Sequence, residues 1–380
     1  MAFTEVSEEG WFSRIGSSIK GILFGIIIFI VGFPLLFWNE GRAVRRAQTL
    51  AEGRGAVVSV ASDKVDSANE GKLVHLTGMA QTDETLTDPE FKISAEKAIR
   101  LKRQVQMFQW VEHEETKTKK KAGGKKVKTT TYSYSKEWED SPINSSNFKE
   151  QGHDNPGSFP YESDNIVAEN VTLGAFKLGP RLAGKIGGEK PLPLNDESLK
   201  QLPASMSSQM KVNGNEFYMG NNASQPEIGD VKISFLKVDP AKVSVIAVQK
   251  GESFQPYEAE AGGSTIFELV QGEKTADEMF SSLESANAMM TWILRGVGFF
   301  CLFIGLNMVF RPLVVVADVL PFLGSMVEAG VGLLAFGIAA PLALITIAIG
   351  WIAYRPLVGI AILVVAGGIG FAIFSKLRSK

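Results

Sequence analysis

An enzyme or a metal site would show first in histidines, cysteines and paired carboxylates, and this chain offers few of them. His75, His113 and His153 stand far apart and Cys301 is the single cysteine. No spacing among them assembles the set of ligands that a bound metal needs. His113 lies between Glu112 and Glu114, but strand alternation sends neighbours to opposite faces. There is no Gly-x-Ser-x-Gly elbow, no phosphate loop and no Gly-x-Gly-x-x-Gly turn following a strand. The expectation is a protein with no catalytic residues, no metal and no cofactor.

A different chemistry is carried by polar groups close to apolar segments, where ionisable side chains are costly and tend to be functional. Asn307, Arg311, Asp318 and Glu328 form one such group. The favoured reading pairs Arg311 with Asp318 at the level of the lipid headgroups; a conducting path lined by these groups is the alternative. The second group is basic: Lys117, Lys119, Lys120, Lys121, Lys125, Lys126 and Lys128, interrupted by Gly123 and Gly124. Such a cluster can hold phosphate, an anionic headgroup or an acidic partner. Its plainer reading is a solvated loop that keeps a hairpin edge from aggregating.

The elements that position these groups are set by four apolar runs, Ile19 to Trp38, Trp292 to Phe310, Ala329 to Gly350 and Leu357 to Phe374. Each is roughly 18 to 22 residues, which at about 1.5 Å per residue crosses a hydrocarbon core of ~30 Å. Backbone groups in lipid have no water to bond, so these runs must be helices. The expected fold class is a membrane α-helical anchor of four transmembrane helices. A large α+β, β-rich extramembrane domain, residues 39–291, is inserted between the first and second. Residues 1–18 read as a short tail, 311–328 as an interfacial or re-entrant connector, and 375–380 as a basic tail. The first run is longer than a signal-peptide core and no small-x-small cleavage site follows it, so it reads as a retained helix. Gly21, Gly25 and Gly32 share one face of it, and Gly330, Gly337, Gly367 and Gly368 offer further small surfaces for helix packing.

Within the inserted domain, period-two patterning predicts strands at 56–62, 72–79, 166–173, 217–219, 231–238, 243–249 and 265–270, with a short helix near 91–98. The strongest signal is a long hairpin. Ile99 to Glu112 alternates, Tyr132, Tyr134 and Trp138 alternate on the return arm, and the lysines occupy a mobile tip. A Thr-x-x-Glu capping box at Thr275 and Glu278 opens a helix running straight into the second span. The formal net charge of −2 excludes the basic excess of a nucleic-acid binder.

The motifs also follow a known pattern. Asn39-Glu-Gly-Arg-Ala43 follows the first run directly, and Gln109-Trp-Val-Glu112, Tyr132-Ser-Tyr134 and Glu137-Trp138 mark the hairpin. Ile143-Asn-Ser145, Asn147-Phe148, Gly152-His153 and Asn155-Pro156 come next. The anchor holds Gly305-Leu-Asn307, Arg311, Asp318, Pro321, Gly350-Trp351 and Tyr354-Arg-Pro356. Over nearly its whole length the chain resembles the LUMA, or transmembrane protein 43, family. The resemblance implies four passes, both termini in the cytoplasm and the large domain on the opposite side. In animals it implies scaffolds of the endoplasmic reticulum and inner nuclear membrane that associate with emerin and lamins. In bacteria, whose relatives share the layout, it implies the plasma membrane. Basic residues flanking the spans are balanced between the two sides and do not choose the orientation. The function expected is a multi-pass scaffold in the lipid bilayer that forms homo-oligomers and organises membrane protein complexes. The alternative is an ion channel or pore formed by the C-terminal helices.

Overall fold

The computed structural model describes residues 3–357. Among them three helices are long and apolar enough to cross a membrane: α1 (Trp11–Ala56), α2 (Ala276–Ala317) and α3 (Pro321–Tyr354). This corrects the expected four-helix anchor to three helices among the described residues. The fourth expected span, 357–374, lies outside the described residues apart from Leu357. The helices outrun their apolar centres. The first continues through Arg42, Arg45 and Arg46 to the domain, and the second starts at the Thr275–Glu278 capping box, where Thr275 Oγ1 accepts from Glu278 N and Glu278 returns a bond to Thr275 N. No separate connector occupies 311–328. Helix α2 runs on to Ala317, a turn of three residues follows, and Pro321, whose missing N–H suits a first helical position, opens α3.

Small residues set how these helices meet. Gly25 on α1 leaves no room for a Cβ, which would stand 2.7 Å from Met308 Cβ and 2.9 Å from Gly305 O. Gly32 is closed in the same way by Leu302 and Gly298. Without a hydrophobic drive between helices in lipid, such close backbone approach is what holds them together. Ala335, Ala339 and Ala343, one per turn on α3, join Leu36, Leu302 and Leu306 in the buried seam of the bundle.

The domain is built on two sheets around one core. Strands β1 (Phe3–Glu9), β2 (Leu73–Gln81), β3 (Arg100–Lys120), β4 (Lys126–Glu139), β5 (Val231–Val238) and β6 (Ala241–Lys250) are its main members. The first sheet has β1, β4, β3 and β5 side by side and continues through Glu216–Met219 and Lys211–Asn213, all neighbours antiparallel. The second centres on β2 and β6, paired antiparallel from Leu73↔Val248 to Ala80↔Ala241. Alternate residues of both face each other: Leu101, Val105 and Met107 from β3, Val231, Ile233 and Phe235 from β5, and Val243, Val245 and Ala247 from β6 are all buried. Phe91 packs with Phe217 and Phe235; burying each such ring is worth about 1.5–3 kcal/mol. The segment near 91–98 is not the expected helix. Asp88 accepts hydrogen bonds from Glu90 N and Phe91 N and turns the chain, and Ser94–Glu96 pairs with Thr85–Thr87 as a small ribbon.

The hairpin is longer and less loop-like than its lysines suggest. Lys117, Lys119 and Lys120 belong to β3, Lys126 and Lys128 to β4, and only residues 121–125 form the tip. Nor do residues 3–9 form a tail. They add a third strand to the hairpin, with Glu9 opposite Lys126 and Ser7 opposite Lys128. Acidic β1 neutralises what an isolated basic arm would leave repelling. At ~3.3 Å per residue β3 reaches on the order of 70 Å, much as α1 does at 1.5 Å per residue. The ribbon therefore leaves the domain at one end of the bundle and meets α1 again at the other.

Candidate functional site

The residues with chemistry to offer collect in two clamps, one at each end of the apolar bundle. The far clamp is centred on Asp318, which caps the end of α2 and is 0 % exposed. Arg14, from the first turn of α1, forms a buried ion pair with its Oδ2 and donates to Gly124 O of the tip at 2.7 Å. Lys120 Nζ stands 2.9 Å from Asp318 Oδ1 and 2.8 Å from Glu328 Oε2. The indole of Trp11 donates to Val315 O at 2.8 Å, and Gly123 N to Val319 O at 2.9 Å. Two glycines are required by this closeness. A Cβ on Gly324 would fall on the Asp318 carboxylate, and Gly124, at φ +72°, has the Trp11 ring where a Cβ would go. Burial pushes the Asp318 carboxyl up, but the hydrogen bonds and charges of Lys120 and Arg14 together outweigh it and hold it below the ordinary aspartate value. Lys120 is likewise penalised by burial, yet its two carboxylates raise it above the ordinary lysine value.

The near clamp lies where the bundle meets the domain. Glu40 is buried and takes two bonds from Arg295, Nε to Oε1 at 2.7 Å and Nη2 to Oε2 at 2.8 Å. Trp351 Nε1 donates to the same Oε2 at 2.8 Å, and the Arg295 guanidinium sits over the Trp292 and Trp351 rings. Each of the three described spanning helices thus contributes one member, Glu40 from α1, Arg295 from α2 and Trp351 from α3. Gly350 passes so close to Glu40 that a Cβ would stand 2.9 Å from its Cβ and Cγ, and Gly41 faces the Tyr354 ring.

The sequence-predicted groups fall unevenly on this frame. Arg311 and Asp318 do not pair; Arg311 is exposed, on the wall of a small cleft with Glu9 and Lys126, and Asp318 is taken by Arg14 and Lys120. Asn307 Nδ2 donates to Phe303 O of its own helix at 2.8 Å. Lys121 and Lys125 reach Glu8 at 3.3 and 3.8 Å, and Lys117 pairs with Glu115 on its own strand. Lys119, Lys126 and Lys128 make no ion pair among the described residues. Gly25 and Gly32 pack against α2, Gly21 only borders Met308, and among the described residues nothing stands within 4 Å of a Cβ on Gly330 or Gly337.

His113 touches both Ser135 Oγ (2.6 Å) and Glu137 Oε1 (3.1 Å), but through a single nitrogen, Nε2. A serine–histidine–acid relay needs the two partners on opposite ring nitrogens, so this exposed trio cannot pass a proton from serine to acid. No group of three or more His, Cys, Asp or Glu that could hold a metal ion is found among the described residues. The recurring hairpin motifs have a structural task instead. Gln109, buried, holds Ser141 O and Ile143 N at 3.0 and 2.9 Å, and Asn155 bonds both the N–H and the carbonyl of Trp110 at 2.7 and 2.9 Å. Tyr134 donates to Glu112 at 2.6 Å while its ring stacks on His153 at 3.8 Å. Together they bind residues 141–155 to the base of the ribbon.

The fold and its clamps define a multi-pass integral membrane protein with a large β-rich domain, the body of which lies outside the bilayer. A family model described as transmembrane protein 43 matches residues 107–356. The chain is 38% identical to rat transmembrane protein 43 over 93% of its length and 89% of that protein. It is 37% identical to the human protein, over 92% and 88% respectively. To the Drosophila melanogaster transmembrane protein 43 homolog it is 31% identical, over 93% and 94%. The chain belongs to the transmembrane protein 43 family, as its motifs indicated. No solved structure matches it.

Proposed function

We propose that this protein is a membrane scaffold that associates with copies of itself and gathers other membrane proteins around its β-rich domain. The observation that carries this reading is the separation of polar from apolar inside the bundle. Between the two clamps the seam is filled by leucine, alanine and phenylalanine. The carboxylates of the two clamps are each taken by a cation: Asp318 and Glu328 by Arg14 and Lys120, and Glu40 by Arg295. A protomer so built is a braced platform, and its described helices line no polar path for ions between the clamps. The face for self-association is α3 around Gly330 and Gly337, where exposed Leu333, Leu334 and Phe336 flank open small positions.

The test is cross-linking of the full chain in native membranes, beside ion flux through the purified protein in liposomes. Wild-type protein should give cross-linked multimers that the double substitution Gly330→Leu, Gly337→Leu removes without lowering thermal stability. The liposomes should pass no ions. Conductance abolished by Glu328→Ala in a folded protein would establish the channel alternative in place of the scaffold.

A further inference from the structure

We propose that the cleft beside the near clamp is a binding site for the phosphate headgroup of an anionic membrane phospholipid. The cleft, of about 370 Å3, has Trp38, Arg42, Arg45 and Arg46 of α1 on one wall and Asn287 and Met290 of α2 on the other, with the loop Gly262–Ser264 closing its far end. Arg45 and Arg46 follow Arg42 by three and four residues, so all three line this side of α1. Their partners leave positive charge over. Arg42 bonds only neutral oxygens, Asn287 Oδ1 and Thr291 Oγ1 at 3.0 Å each and Asn39 Oδ1 at 3.3 Å. Arg45 is exposed and its nearest aromatic partner is the Tyr354 ring, 5.9 Å away; no carboxylate pairs with it among the described residues. Arg46 donates to Thr265 O at 2.7 Å and is 3.8 Å from Glu268. On the other side of α1 the accounts balance differently, because Arg295 has its own carboxylate in Glu40.

Depth selects a lipid as the source of the anion. Trp38 closes the apolar run of α1, half exposed, as an indole at the membrane interface does. Arg42 follows one turn later, about 6 Å along the axis, which is the thickness of a headgroup layer, roughly 5–8 Å per leaflet. Exposed Met290 sits at the lipid end of the cleft, so its lining runs from apolar to cationic in the same direction as a phospholipid runs from glycerol to phosphate. The loop wall is fixed at a set distance. A Cβ on Gly262 would collide with Thr49 and the Arg45 carbonyl, and Ser264 donates to Thr49 Oγ1 at 2.8 Å. Guanidinium groups suit the task, since their planar forks bind phosphate oxygens in pairs.

The experiment is native mass spectrometry of the full chain in neutral detergent, titrated separately with dihexanoyl phosphatidylglycerol, dihexanoyl phosphatidylcholine and inorganic phosphate. One saturable phosphatidylglycerol adduct is expected, with neither of the other probes retained. Arg45→Gln, at an exposed position with no intramolecular hydrogen bond to lose, should weaken that adduct about tenfold, the equivalent of one charge-assisted bond. Arg42→Gln combined with it should weaken it further, and an unchanged thermal midpoint in neutral detergent certifies the fold. Equal adducts on wild type and Arg45→Gln would overturn the site. Equal retention of phosphatidylcholine would overturn its charge selectivity, and retention of inorganic phosphate in competition with the lipid would assign it to a soluble anion instead.

Discussion

Replacing Asp318 by asparagine should release the hairpin tip from the end of the bundle while leaving the domain folded. Breaking a buried ion pair by removing one partner costs about 3–5 kcal/mol, because the other charge stays behind. Here the lower figure applies. Lys120 retains Glu328 and is partly exposed, and Arg14 retains the Gly124 carbonyl. About 3 kcal/mol taken from the docked state raises the open population roughly a hundredfold, at 1.4 kcal/mol per factor of ten. Trypsin cleavage at Lys120 to Lys128 reads that population directly when opening is fast against cleavage, and the Gly123 amide, bonded to Val319 O, reads it by hydrogen exchange. The same reasoning fixes the pH response. Asp318 is lowered below its ordinary value, so its contribution is complete above about pH 4 and is lost as pH falls through the depressed value. Lys120 is raised, so its contribution is present at neutral pH and is lost only as pH climbs through a value above about 10.4. Equal cleavage and exchange in wild type and Asp318→Asn at pH 7 would refute the clamp.

Three further outcomes are expected. Glu40→Gln removes the charge that Arg295 and Trp351 share and should cost about 3 kcal/mol by the same argument, seen as a lower melting temperature in detergent; the double variant Glu40→Gln, Arg295→Met should recover most of it, and no recovery would mean the pair is not coupled. Gly25→Val meets Met308 and the Gly305 carbonyl and should destabilise by about 1–3 kcal/mol, whereas Gly330→Ala, with open space around it, should melt as wild type does. Single cysteines at Lys121 and Ser7 should be labelled from the same side of sealed vesicles, since the tip and β1 are paired at one end of the bundle; labelling from opposite sides would show that the ribbon does not dock on α1 in the membrane.

Much of this architecture is legible in the residues because membrane and strand patterning are strong local signals. The apolar centres of all three described helices, the Thr275–Glu278 cap and the strand Val231–Val238 follow directly from run length, spacing and alternation. What escapes is whatever depends on a distant partner. Arg14 and Asp318 are 304 positions apart, and nothing near either one names the other, so Asp318 was assigned its nearest cation, Arg311. The lysines read as loop because repulsion is all their own segment shows; the acidic residues Glu5, Glu8 and Glu9 of the strand beside them lie far upstream. The near clamp carried a signal that could have been used. Glu40 and Arg295 are lone charges of opposite sign at the same end of two adjacent apolar runs, where an unpaired charge would be costly.

The pairing of β1 with β4 bears on the order in which the molecule comes together. Residues 3–14 precede the hairpin and α2 in the chain, yet their partners are residues 126–132 of β4 and the turn at Asp318. A segment made before both of its partners is therefore among the last to find its place, waiting until the hairpin has closed and α2 has turned into α3. Contacts of such long sequence separation form slowly and late.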